Sequence, residues 1–174
     1  MRKLKKLFLA LPILLLTSCA VNVKTVNDSF YGTQHYETDY MTITGWLYEV
    51  KFKFVASKNP KVILVEVQYI TYYDSFTVSK NDEIVLKFSD NSLVNLTYIN
   101  DMPAVDRNFY TSSGNIYSSS SYTINAAARI NNDIGTLTAI RIENSGGFRN
   151  LDVSKSFANT FQKAYNDIKN KINE

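Results

Sequence analysis

Residues 46–54 read Trp46-Leu47-Tyr48-Glu49-Val50-Lys51-Phe52-Lys53-Phe54, and this stretch decides the fold. Trp46, Tyr48, Val50, Phe52 and Phe54 fall on one side of an extended chain, and Leu47, Glu49, Lys51 and Lys53 on the other. Alternation of large apolar and charged side chains is the mark of a strand with one buried and one solvated face. Each inward side chain would contribute about 1.5–3 kcal/mol on burial, so the strand is expected at the centre of the core. An aromatic platform for sugar stacking is the competing reading. The charges on the opposite face supply what solvent exposure requires, which favours the core.

Downstream, Ser57-Lys58-Asn59-Pro60 signals a turn. Lys61–Tyr73 continues with Ile63, Val65, Val67 and Tyr69 on one side, while Val62, Leu64 and Ile70 make the other side too apolar for free solvent. Residues 83–89 and 93–99 form a hairpin. A three-residue loop of Asp90, Asn91 and Ser92 would set Phe88 against Val94 and Leu86 against Leu96, whereas a two-residue loop would set Leu86 against Asn95. Further strands are expected over 122–130, 138–143 and 148–153. Phe157, Phe161, Ala164, Tyr165, Ile168 and Ile172 recur at helical spacing, which predicts a helix over 154–172 capped by Ser154 or Asp152. The expected fold is mainly β: an antiparallel sandwich or strongly curved sheet of six to eight strands, closed by one C-terminal helix, in a single domain over 40–174.

The stretch Asn100–Ser121 holds Asp101, Asp106, Arg107, Tyr110, Gly114, Tyr117 and a run of serines, and it reads as a long loop. Loops of that length in compact domains tend to carry function, and tyrosine among polar neighbours suits an adaptable contact surface. Asp101, Asp106, Arg107, Tyr110 and Tyr117 are therefore the candidate binding residues. Two of Asp101, Asp106, Asp133 and Glu83 converging in a pocket would instead suggest a hydrolase. The spacing of Asp101 and Asp106 matches no calcium loop, so no metal and no catalytic group is assigned. His35, the one histidine, has Glu37 and Asp39 as possible orienting partners for a nucleophile-base arrangement, in a segment without a packing pattern.

The chain opens with Arg2, Lys3, Lys5 and Lys6, an apolar run over Leu7–Leu16, and then Leu16-Thr17-Ser18-Cys19. The apolar run is about half the roughly 20 residues of a spanning helix, which makes 1–18 a secretory signal. Leu-Thr-Ser-Cys resembles the lipobox of bacterial lipoproteins. That resemblance implies a diacylglyceryl thioether on Cys19, cleavage before it, and an acyl-anchored N-terminus, with no other cofactor. Residues 19–39 then read as the lipidated N-terminus and a tether.

Cys19 is the lone cysteine, and acylation would consume a thiol that is otherwise exposed to an oxidising compartment. The whole chain has 19 Lys plus Arg against 16 Asp plus Glu; removing the four leader cations leaves 15 against 16, a charge of about −1. No basic cluster survives that would suit nucleic acid. The body also resembles, in architecture only, the uncharacterised small β-rich lipoproteins of bacterial envelopes. That resemblance carries no residue-level function across; the Asn100–Ser121 loop and the acyl anchor favour a non-enzymatic envelope module binding a protein or glycan partner, with a hydrolase using loop carboxylates as the alternative. Ala20 after the cysteine favours an outer-membrane address in a Gram-negative cell.

Overall fold

The computed structural model describes residues 21–28, 33–72, 76–79 and 81–174; the leader, the lipobox and Cys19 lie outside the described residues. Among the described residues eleven strands form one antiparallel sheet: β1 (Val23–Asp28), β2 (Thr33–Thr38), β3 (Met41–Thr44), β4 (Tyr48–Ser57), β5 (Val62–Tyr72), β6 (Glu83–Phe88), β7 (Leu93–Tyr98), β8 (Ala104–Ser112), β9 (Asn115–Ile130), β10 (Leu137–Asn144) and β11 (Gly147–Asp152). The helix α1 follows at Lys155–Asn173. Strand order is β1-β2-β4-β5-β9-β7-β6-β10-β11, with β3 beside β4 and β8 beside β9.

Eleven strands among the described residues replace the expected six to eight: the tight turn after Gly45 splits off β3, which pairs back on β4, and two segments read as irregular are strands. The segment read as a tether supplies β1 and β2, which pair from Val23↔Thr38 to Asp28↔Thr33 and dock on β4 through Tyr36↔Ala56. The segment read as a loop supplies β8 and the first part of β9. In both segments ladder hydrogen bonds, rather than an apolar stripe, hold the backbone extended.

β5 along its whole length and β4 from Glu49 onward alternate between half-buried and buried residues, and Val50, Phe52, Phe54, Val65 and Val67 are buried. Trp46 departs from the expected inward face and is 94% exposed. Thr44 pairs with Glu49 and the Gly45 N–H donates to the Tyr48 carbonyl at 2.9 Å, so Trp46 and Leu47 form the corner of a tight turn. The alternation therefore starts at Tyr48. A Cβ on Gly45 would lie 2.2 Å from the Tyr48 ring, so any larger residue there would displace that ring.

The hairpin of β6 and β7 keeps the odd loop and the facing of every residue, but its register is shifted by two. Its loop is Ser89-Asp90-Asn91: the Phe88 N–H donates to the Ser92 carbonyl at 3.0 Å, and Leu86 meets Val94 while Ile84 meets Leu96. Asn91 takes the left-handed conformation (φ 63), and Asp90 Oδ1 accepts from the Ser92 N–H and hydroxyl. Those bonds draw Ser92 out of the loop and into the closing pair.

Helix α1 begins where expected, with the Ser154 hydroxyl accepting from the Phe157 N–H at 3.2 Å. It buries Ala158, Phe161, Ala164, Tyr165, Ile168 and Ile172. The Phe161 ring lies 4.9 Å from Phe54 on β4 and 6.4 Å from Phe88 on β6. Those strands stand four steps apart in the sheet order, about 19 Å on a flat sheet with strands some 4.8 Å apart. One ring can touch both only if the sheet curls around the helix.

Candidate binding surface

The expected binding loop is a β-ribbon. β8 pairs with β9 from Ala104↔Thr123 to Ser112↔Asn115. Ser113 (φ 51) and Gly114 (φ 78) make the turn, and two successive positive φ values are those of a type I′ hairpin, whose twist matches the flanking strands. No heavy atom would approach a Cβ on Gly114, so glycine serves the backbone angle there and not a close contact.

The pairing of β5 with β9 ends at Tyr72↔Ser121. Among the described residues, Arg107–Ser112 and Asn115–Ser120 pair only with each other. Six residues per strand at about 3.4 Å each carry the ribbon roughly 20 Å past the body of the sheet.

Alternation then sorts the candidate residues. Val105, Arg107, Phe109 and Thr111 share a face with their partners Tyr122, Ser120, Ser118 and Ile116, and this face runs on from the buried Ile124 and Ala126 of β9. Among the described residues nothing covers it along the projecting part, where Phe109 is 71% exposed and Ile116 77%; Val105, at the base, is 47% exposed. Asp106 and the directly paired positions Tyr110 and Tyr117 belong to the opposite face. Asp101 stands before the ribbon, in the exposed bend that also carries Met102. The register therefore assigns Asp106 and positions 110 and 117 to one face of the ribbon and Arg107 to the other, and leaves Asp101 apart. Val105, Phe109 and Ile116 were not singled out from sequence, although the Ser113-Gly114 pair was the signal for a hairpin that would have set them in line.

The acids weighed for hydrolysis do not gather. Asp133 accepts from the Tyr165 hydroxyl at 3.3 Å and pairs with Lys169, which holds its carboxyl below the usual range and ties the β9–β10 connection to the helix. Glu83 lies on the outer face of β6, away from the ribbon that carries Asp106.

His35 Nε2 is 2.9 Å from Glu37 Oε1, so the orienting partner expected from sequence is present. The other Glu37 oxygen accepts from Lys53 Nζ at 3.1 Å, and Lys53 also reaches Glu66 at 3.3 Å. Burial pushes the Glu37 carboxyl up, but the hydrogen bonds from His35 and Lys53 outweigh it and leave it below its ordinary value. Burial likewise lowers Lys53, and the Glu37 hydrogen bond with both nearby carboxylates brings it above its ordinary value. Ser57 lines the same surface pocket as His35 without a hydrogen bond to it. The arrangement is a charge network across β2, β4 and β5.

Among the described residues no cluster of three His, Cys, Asp or Glu side chains could hold a metal ion, and no helix is long and apolar enough to cross a membrane. No known family, curated protein or solved structure matches the chain.

Proposed function

We propose that the chain is a lipid-anchored, non-enzymatic module of the bacterial envelope that captures a protein partner with the β8–β9 ribbon. The leader and Leu16-Thr17-Ser18-Cys19 support the anchor and the address. One observation carries the binding role: Val105, Phe109 and Ile116 stand exposed in a row on a ribbon that projects from an otherwise well-covered core. Large exposed apolar side chains held together on one rigid face mark interaction sites. Each would contribute about 1.5–3 kcal/mol when a partner covers it. The acyl chains confine the module to the bilayer surface, and the ribbon extends its reach.

The test is a shortened ribbon. Deleting Arg107–Ser112 and Asn115–Ser120 leaves Asp106-Ser113-Gly114-Ser121, which keeps the two-residue turn on an existing cross-strand pair. Capture of a stoichiometric partner from detergent-solubilised native envelope should be lost, with Tm moving by no more than about 2 °C because the deleted pairs lie beyond the body of the sheet. The same partner recovered in the same yield would overturn the reading. The substitution pair Phe109→Ser and Ile116→Ser should reproduce the loss without changing the backbone.

A further inference from the structure

The outer face of β7, β6, β10 and β11 holds a trough of about 710 Å³, within the usual range for small-ligand sites. Its shape follows from side-chain length. The register sets Val85 against Arg141 and Lys87 against Ala139, so each of the two central strands places one short outward residue beside long ones. Val85 and Ala139 make an apolar floor, and Glu83, Lys87, Arg141 and Glu143 rise around it.

The polar groups of this trough are uncommitted. On the other half of the same sheet Lys53 bridges Glu37 and Glu66, and Lys51 pairs with Glu49 at 3.3 Å. In the trough, by contrast, the charged groups of Glu83, Lys87, Glu143 and Asp152 make no ion pair or hydrogen bond with another described residue. Arg141 alone is fixed. Its Nε donates to Asn150 Oδ1 at 3.0 Å and its guanidinium lies 4.4 Å from the centre of the Phe148 ring, an aromatic 62% exposed at the rim. That is one preorganised donor beside free acceptors, a free ammonium and the amides of Asn95 and Asn150.

From this we infer that the trough binds an uncharged, hydroxyl-rich oligosaccharide. Lys87 and Arg141 against Glu83, Glu143 and Asp152 come close to charge balance, which suits neither a polyanion nor a strongly basic chain. Hydroxyls both donate and accept, so they satisfy carboxylates, amides and cations side by side. The apolar face of a pyranose ring fits a floor of Val85 and Ala139, and an exposed phenyl ring at the rim offers a stacking surface. The site is separate from the ribbon and does not depend on what the ribbon holds.

The experiment titrates cellotetraose, maltotetraose and chitotetraose separately into the full mature chain in detergent, by calorimetry, and locates the contact by amide NMR shifts. At least one should bind with a Kd of about 1 mM or tighter and move the amides of β6 and β10. Arg141→Ala should weaken that binding about tenfold, since it removes a charged hydrogen-bond donor. Val85→Trp, which fills the floor, should abolish it; Asn95→Ala serves in its place if that variant does not fold, with a measurable weakening expected. The shortened ribbon should bind the sugar unchanged, which separates this site from the partner-capture role. No shift with any of the three sugars, an unaltered Kd in Arg141→Ala, or shifts in β6 and β10 from tetralysine alone would each overturn the inference.

Discussion

Phe161→Ala removes the side chain on which the two halves of the sheet meet. Phe161 is fully buried, with its ring 4.9 Å from Phe54, 5.8 Å from Phe52, 6.3 Å from Phe157 and 6.4 Å from Phe88. Truncating a core phenylalanine costs about 3–5 kcal/mol. Four aromatic neighbours and a site walled by both sheet and helix leave little room for collapse, which places this residue at about 4–5 kcal/mol. For a chain of this size that corresponds to a Tm lowered by roughly 10–15 °C.

The assay is urea unfolding followed by far-ultraviolet circular dichroism, with thermal scans beside it. Phe109→Ala on the ribbon is the control, expected within about 0.5 kcal/mol of the parent protein because its side chain is exposed. A loss below about 2 kcal/mol in Phe161→Ala, or equal losses in both variants, would show that the helix is not what the sheet closes upon.

Other substitutions probe particular joints. Ser154→Ala should cost about 1 kcal/mol in urea unfolding by leaving the Phe157 N–H without its cap. Gly45→Ala should cost about 1–3 kcal/mol in the same assay, because the Tyr48 ring must leave its place and its packing beside Tyr69. The network of His35, Glu37 and Lys53 gives stability a pH dependence of known sign. Glu37 is held below its ordinary 4.5, so its contribution is present above that value and fades as pH falls through the lowered one. Lys53 is raised above 10.5, so its contribution is complete below that value and fades as pH climbs through the raised one. Stability of Glu37→Gln measured from pH 7 to 3 should fall less steeply than that of the parent; an unchanged acid slope would contradict the assignment.

The parts of the fold legible in the sequence are those where burial imposes a period. β4, β5 and the stripe of α1 each show their core residues in order, from Val50 to Phe54, Ile63 to Tyr69 and Phe161 to Ile172. β1 and β2 were not legible because they bury little: Tyr36 and Thr38 are their buried residues among those described, and the pair is held by its ladder and by surface bonds such as Lys24 to Asp39. The ribbon was hidden by its serines. Ser118–Ser121 carries no hydropathy signal, so Phe109 and Ile116 look isolated until the register lines them up.

The trough depends on strand order. Glu83, Lys87, Arg141 and Glu143 alternate with the buried residues of their strands, Lys87 and Arg141 exposed and Glu83 and Glu143 half-buried. Only the placement of β6 beside β10, far apart in sequence, brings them around one floor. Trp46 shows the opposite limit: its period was right and its position, one turn too early, was wrong.

Photo-crosslinking in living cells tests the anchored-module account most directly, with a photoreactive residue placed at 109 on the ribbon and, in a second strain, at 163 on the helix. The account predicts one discrete protein adduct from position 109, lost when Cys19→Ser removes the acylation site, and none of that mass from position 163. Position 109 yielding no adduct, or the same adducts as position 163 whether or not Cys19 is present, would contradict it.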